Sequence, residues 1–234
     1  MLKEVNSTSR GFLNLNKNTA QTALVWVAGL FLFSALLSIV LKTSGPVVPD
    51  WMRRYSLQFY LLLALGYLYF ATGWRPLLRI SPRALCICFL IFAGYVGGLK
   101  LIDLFFAWKD GPAIGNRKVF GLVEEVFLMV IAAPILEELF FRDVLFRALY
   151  TKWQSLFVPV LFSSVFFMIA HMSLYPGAFL LGLISAGLLY VSGSIIPSII
   201  FHALSNLSWF FLPVLFPNLY KTLFEMKLLN LFYR

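Results

Sequence analysis

The chain contains one block without a charged side chain that is long enough to cross a membrane three times. Between Lys152 and Lys221 there is no Asp, Glu, Lys or Arg. A helix needs about 20 apolar residues to span the hydrocarbon core of a bilayer. Soluble domains are about a quarter charged, whereas this chain is 12% charged and 61% hydrophobic. The sequence therefore predicts an integral membrane protein made of helices.

The net charge of +9 does not indicate a nucleic-acid partner. The Lys and Arg residues stand singly or in pairs between apolar segments, where helix ends meet lipid headgroups. We expect a lipid bilayer as the partner of these charges and no nucleic acid. Cys86 and Cys88 are two residues apart in an apolar run, so they point away from each other on a helix. This spacing indicates neither a disulfide nor a metal site.

Apolar runs and turn residues divide the chain into predicted helices. The predicted helices cover residues 19–41, 55–74, 82–106, 119–133, 134–152, 155–171, 177–190 and 195–216. The run at 19–41 ends at Lys42 without a small-x-small cleavage pattern, so we expect it to be a retained span and not a signal peptide. Pro134 is expected to separate two helices, because proline removes a backbone donor, and one long kinked helix is the alternative.

We predict an all-α fold, a polytopic transmembrane bundle of about eight helices, or seven if residues 119–152 form one kinked helix. The bundle is expected to be a single integral membrane domain over residues 1–234. Its catalytic core is predicted at 133–207 and accessory N-terminal helices at 19–118. We expect a multi-pass protein of a bacterial inner (cytoplasmic) membrane.

Charged residues inside apolar segments mark functional sites, because an ionised group in hydrocarbon is costly. Glu138 and Arg142 are four apart and can form an ion pair on one helix face, which leaves the adjacent Glu137 free to act as a general base. Asp143 and Arg147 repeat this spacing and are predicted to neutralise each other.

Other charged residues are predicted to lie outside the site. Glu124 and Glu125 have no arginine four residues later and lie where they can reach water. Lys100 and Asp103 lie near the end of their predicted helix, where long side chains reach the membrane interface.

Both histidines of the chain, His171 and His202, lie in the charge-free block. His202 and Asn206 share a helix face, which suits either two donors to an oxyanion or an interhelical hydrogen bond. If a helix starts at Pro134, Glu137 and His171 lie near the same membrane face. One long helix would instead place His171 at the far face, so convergence of these groups favours eight helices.

Together these residues resemble the three motifs of the CAAX prenyl endopeptidase and bacteriocin-processing family of intramembrane proteases, in order and in approximate spacing. The motifs are Glu137-Glu138-x-x-x-Arg142, Phe167-x-x-x-His171 and His202-x-x-x-Asn206. The resemblance covers about residues 133–207. It differs at Asp143, where the family usually has glycine.

The resemblance implies an endopeptidase that cleaves a peptide or protein substrate in or at the membrane. In the family's scheme Glu137 with His171 activates water, and His202 with Asn206 stabilises the oxyanion. The other motif residues are expected to support the site: Glu138, Arg142 and Phe167. We favour a reaction without a metal cofactor, because the chain lacks a His-Glu-x-x-His helix. The alternative is zinc, bound by Glu137, His171 and His202.

Two other functions fit the same residues. An inactive membrane scaffold or bacteriocin-immunity protein of the same fold is the first alternative, since Asp143 could compete with Glu138 for Arg142. A proton-coupled transporter is the second, because intramembrane Glu and His also serve as proton relays.

Overall fold

The computed structural model describes residues 11–43, 50–110, 126–171 and 176–225 of the 234-residue chain. The described residues are helical and contain no strand, which agrees with the all-α prediction. The main helices are α1 (Lys17–Thr43), α2 (Asp50–Thr72), α3 (Pro82–Asp110), α4 (126–153), α5 (Phe157–Ala170), α6 (Pro176–Ser192), α7 (Ile196–Phe210) and α8 (Pro217–Glu225).

Most predicted helices agree with the observed ones to within a few residues. The last prediction, 195–216, is one exception, because α7 ends at Phe210 and a separate short helix, Leu212–Leu215, follows. Pro213 lies in the first turn of this short helix. A proline has no backbone N–H, so it is tolerated where a helix begins and disfavoured inside a continuing one.

Pro134 does not separate two helices, and the preference for two segments was wrong. Ala132 and Ala133 both have right-handed helical dihedral angles, and the described part of the segment runs without a break as α4. It alternates between wide π-helical and α-helical turns: Leu128–Ala132 (π), Ala133–Glu138 (α), Leu139–Phe146 (π) and Arg147–Trp153 (α). The wide turn before Pro134 accommodates the proline ring and its missing donor inside one helix.

Glu137 and His171 lie at the same level of the bundle although α4 is one long helix. Glu137 is 16 residues before Trp153, and His171 is 14 residues after Phe157. At about 1.5 Å per residue these distances are about 24 Å and 21 Å, measured from the same turn. The expectation that a single helix would place His171 at the far face was therefore wrong. The level of His171 relative to Glu137 depends on the turn at 154–156, from which both residues are counted, and not on where α4 begins.

A small residue, Gly182, brings α5 and α6 close together. A Cβ atom on Gly182 would lie 2.9 Å from both Cα and Cβ of Ser164. Ala186 is fully buried and packs with Leu189 and Ile195 in one apolar cluster. The α5–α6 pair is thereby held at backbone contact next to the glutamate helix α4.

Asp103 was expected from the sequence to reach the membrane interface. It is instead buried, with 1% of its surface exposed. Its Oδ1 accepts a hydrogen bond from the Leu219 amide at 2.9 Å, and its Oδ2 accepts from Asn218 and Lys100, both at 3.3 Å. A carboxylate at a helix N-terminus satisfies free amides and the positive end of the helix dipole. Asp103 therefore fastens the start of α8 to α3.

Two helices contain a stretch that is long and apolar enough to cross a membrane, Lys17–Leu37 of α1 and Pro82–Phe105 of α3. The apolar helices Phe157–Ala170 and Gly177–Ser192 are shorter. This result, drawn from the described residues alone, supports a membrane location by length and composition.

Gly182 and Gly187, both on α6, provide a matched test of the α5–α6 contact. Gly182→Ala places a methyl group 2.9 Å from Ser164, and overpacking of this kind costs about 1–3 kcal/mol. Gly187→Ala meets no atom within 4 Å, and we expect it to gain about 0.5–1 kcal/mol because the unfolded chain loses conformational freedom. Thermal unfolding of the purified variants in detergent measures both effects. Equal unfolding temperatures for the two variants would contradict this packing.

Candidate active site

The carboxylate of Glu137 faces both histidines of the chain. Its Oε2 lies 3.4 Å from Nε2 of His171 and 3.8 Å from Nε2 of His202. The Glu137 and His202 side chains are almost fully buried, at 4% and 2% exposure, whereas His171 is 32% exposed. The structure thus brings together three of the predicted catalytic residues, with an opening on the side of His171.

The neighbouring Glu138 has different partners and is completely buried. Its Oε2 lies 3.3 Å from Nε of Arg142, which is the ion pair that the four-residue spacing predicts. Its Oε1 lies 2.9 Å from Nδ1 of His202. Glu138 therefore joins an arginine of its own helix to a histidine of α7, and this second contact is not visible in the sequence.

Hydrogen bonds at Nδ1 orient both imidazole rings. His171 Nδ1 lies 2.8 Å from the carbonyl oxygen of Phe167, and His202 Nδ1 lies 2.9 Å from Oε1 of Glu138. A carbonyl oxygen and an ionised carboxylate only accept, so each Nδ1 is a donor. Both Nε2 atoms are consequently directed at Glu137, where a reacting molecule would bind.

The ring of Phe167 fills the space between the charged groups. Its centroid lies 4.5 Å from the ring centroid of His171 and 5.5 Å from that of His202. Cζ of Arg142 lies 4.4 Å from the Phe167 centroid, within the range of a cation–π interaction. Phe167 therefore packs against both histidines and against the guanidinium of Arg142.

Asn206 lies at the edge of the site, and its Nδ2 donates to the carbonyl oxygen of Met129 at 2.7 Å. This hydrogen bond connects Asn206 to the backbone of α4 and does not involve Glu137. The role that the resemblance implies for Asn206, a donor to the oxyanion, stays a prediction. The contact with Met129 matches the other possibility left open by the sequence, an interhelical hydrogen bond.

Asp143 does not disturb the glutamate pair. Its Oδ1 accepts a hydrogen bond from Arg147 at 2.9 Å, and Arg147 also donates to the carbonyl oxygen of Arg75 at 3.4 Å. Asp143 is fully buried in this contact. The departure from the family's glycine is thus accommodated by an arginine one turn later, which leaves Arg142 with Glu138.

The zinc alternative requires Glu137, His171 and His202 as ligands. Across the ranges that the structure describes, no group of three His, Cys, Asp or Glu side chains is found that could hold a metal ion. The choice between a reaction without a metal cofactor and a zinc-dependent one stays a prediction.

Sequence reasoning missed two contacts of the site, Glu138 with His202 and Asn206 with Met129. Neither partner pair is close in sequence, so no spacing rule detects them. Pro134 was the available signal for the second contact, because a proline inside a helix leaves a carbonyl without its usual donor. The prediction that Glu124 and Glu125 are not catalytic falls outside the described residues.

Comparison with known proteins gives a match to the segment that carries the candidate site. Residues 120–208 match a family model described as "Type II CAAX prenyl endopeptidase Rce1-like". The match includes all three motifs and confirms the resemblance to the CAAX prenyl endopeptidase and bacteriocin-processing family, whose members are proteases of the membrane. No curated protein and no solved structure matches the chain.

Replacing each glutamate with glutamine separates their structural roles. Glu138→Gln leaves the fully buried Arg142 without its counter-charge, and breaking such a pair costs about 3–5 kcal/mol. Glu137 faces two histidines, and an imidazole, unlike a guanidinium, has a neutral form that needs no counter-charge. We therefore expect Glu137→Gln to cost clearly less stability than Glu138→Gln. Thermal unfolding in detergent compares the two variants.

The double variant Glu138→Gln with Arg142→Gln is the control, because it removes both charges at once. It should recover part of the stability that Glu138→Gln loses. Equal losses for Glu137→Gln and Glu138→Gln would contradict the assignment of Arg142 to Glu138.

Proposed function

We propose that the protein is an intramembrane endopeptidase of the CAAX-protease and bacteriocin-processing type. The observation that carries this proposal is the buried carboxylate of Glu137, which faces the Nε2 atoms of His171 and His202. A carboxylate and two imidazoles that converge on one point can activate water and stabilise the charge that develops on a peptide carbonyl.

The nucleophile in this proposal is a water molecule that lies beside Glu137 and His171. Because Oε2 and Nε2 are 3.4 Å apart, one water molecule to the side of both atoms can lie at hydrogen-bond distance from each. Glu137 accepts a proton from the water as its oxygen attacks the carbonyl carbon of the substrate. His171 holds the water in position and is the side chain through which the site opens outward.

The oxyanion is stabilised by Nε2–H of His202. With Nδ1 donating to Glu138, the Nε2 atom carries a proton only in the imidazolium form. The proposal therefore requires the doubly protonated form of His202 while the oxyanion is present.

Breakdown of the tetrahedral intermediate completes the cycle. The bond between the carbonyl carbon and the peptide nitrogen breaks, and the leaving amine takes the proton that Glu137 accepted from water. The products are a carboxylic acid, which keeps the second proton of the water until it ionises in solution, and an amine, and Glu137 is again ionised. One water molecule is consumed for each peptide bond.

We propose that the bundle is polytopic and that its outer surface contacts lipid. Large apolar side chains are strongly exposed on several helices, including Phe70 at 86%, Trp108 at 85% and Leu90 at 73%. Soluble monomers rarely expose so much contiguous apolar surface. The charged groups described above lie inside the bundle, as expected for ionisable residues in a membrane. The substrate is then a membrane-associated peptide, such as a leader or a C-terminal segment.

An inactive scaffold or immunity protein of the same fold is less well supported. The reason to consider it was that Asp143 could compete for Arg142. Because Asp143 is paired with Arg147 at 2.9 Å, this reason no longer applies.

Cleavage of a panel of quenched peptides by the purified protein in detergent tests the proposed function. We expect Glu137→Gln to lower kcat/KM by about 100-fold or more, because a positioned general base contributes about 10²–10⁴. Asp103→Asn is the matched control, since it makes the same change of carboxylate to amide in α3 and keeps an oxygen that accepts from the Leu219 amide. Its activity should stay within about twofold of wild type.

A strong chelator distinguishes the two types of protease. Activity that survives the chelator and is lost in Glu137→Gln supports a glutamate base. Loss with the chelator and recovery with zinc would replace this mechanism with a metal-dependent one. Cleavage by Glu137→Gln at the wild-type rate would refute both.

A further inference from the structure

We propose that Asn206 is a positioning residue, whose side-chain amide replaces the backbone hydrogen bond that Pro134 removes from α4. This inference rests on the proposed function for its effect on cleavage. The hydrogen bond itself is a structural feature and can be tested without any substrate.

The hydrogen bonds of the wide turn leave one carbonyl without a helical partner. The Ala133 amide, which would reach Met129 in an α-helix, donates instead to the carbonyl oxygen of Leu128. The next amide in the π-helical pattern would belong to residue 134, which is proline and has no N–H. The Met129 carbonyl therefore lacks both possible donors of its own helix, and Nδ2 of Asn206 meets it at 2.7 Å.

This contact gives α7 a second attachment to α4. His202 binds Glu138 in the α-helical turn, at 2.9 Å, and Asn206 binds Met129 in the preceding π-helical turn. Asn206 follows His202 by one turn on the same face of α7. Two hydrogen bonds at successive turns restrict the relative rotation of the two packed helices more than one does.

The restricted rotation matters because Glu137 and His202 belong to different helices. Their facing atoms, Oε2 and Nε2, lie 3.8 Å apart, and a small rotation of α7 against α4 would change this separation. A displacement of about 1 Å between catalytic groups can cost about 100-fold in rate. The hydrogen bond from Asn206 to Met129 therefore sets the distance on which the proposed chemistry depends.

A double-mutant cycle between Asn206 and Pro134 tests the inference. Pro134→Ala restores a backbone N–H to α4, so the helix can satisfy the Met129 carbonyl by itself. We expect Asn206→Ala to lower kcat about 10- to 100-fold in the wild-type background. In the Pro134→Ala background the same change should cost less than about threefold, because the lost bond is no longer needed.

An oxyanion donor would behave differently. Its loss costs about 10²–10³ in kcat whichever backbone donor is present. Equal losses from Asn206→Ala in the two backgrounds would therefore overturn the positioning role. Ser208→Ala is the control, because Ser208 donates only to Leu204 within α7, at 2.9 Å, and it should change kcat by less than about twofold in both backgrounds.

Thermal unfolding of the same variants separates this inference from the proposed function. We expect Asn206→Ala to lower the unfolding temperature in the wild-type background and to have a smaller effect with Pro134→Ala. If these unfolding temperatures are found and Glu137→Gln is still active, the proposed function is refuted, whereas the role of the Asn206–Met129 hydrogen bond is supported. No difference between the backgrounds would refute the positioning role, whatever the activity.

A failure of Asn206→Ala to accumulate is also informative. Recovery of folded protein in the double variant with Pro134→Ala would support the inference. Failure of both variants to accumulate would count against it, because the restored backbone donor should then have replaced the side chain.

Discussion

The buried contact of Glu138 with Arg142 and His202 is the interaction on which the rest of the site depends. Each of these three side chains is at most 2% exposed, and a charge in such a place persists only when a partner compensates it. The guanidinium of Arg142 and the Nδ1–H of His202 provide this compensation on opposite oxygens of one carboxylate. Glu138 thereby fixes the orientation of the imidazole that faces Glu137.

Two adjacent glutamates acquire different roles because a helix turns by about 100° per residue. Glu138 points to Arg142 on its own helix and to α7. Glu137 points to His171 at the end of α5 and to His202 on α7. The different surroundings of the two carboxylates are thus a consequence of helix geometry, and the surrounding helices supply the partners.

Pro134 shows how far local rules predicted this fold. The residue was correctly recognised as a defect in the hydrogen-bond pattern, but its consequence was assigned to the wrong structure. The helix continues through a wide turn, and the missing donor is replaced from another helix by Asn206. A rule that considers one segment at a time cannot include a donor that is 77 residues away in sequence.

The sequence by itself determined the all-helical class, the segment that carries the site and the pairs formed within one helix, Glu138 with Arg142 and Asp143 with Arg147. These features follow from apolar run lengths and from the four-residue period of a helix, which are local properties. Only the tertiary structure decided which groups meet across helices. The level at which Glu137 meets the histidines depends on the turns that join the helices and on contacts such as Gly182 with Ser164, and no periodicity along the chain encodes them.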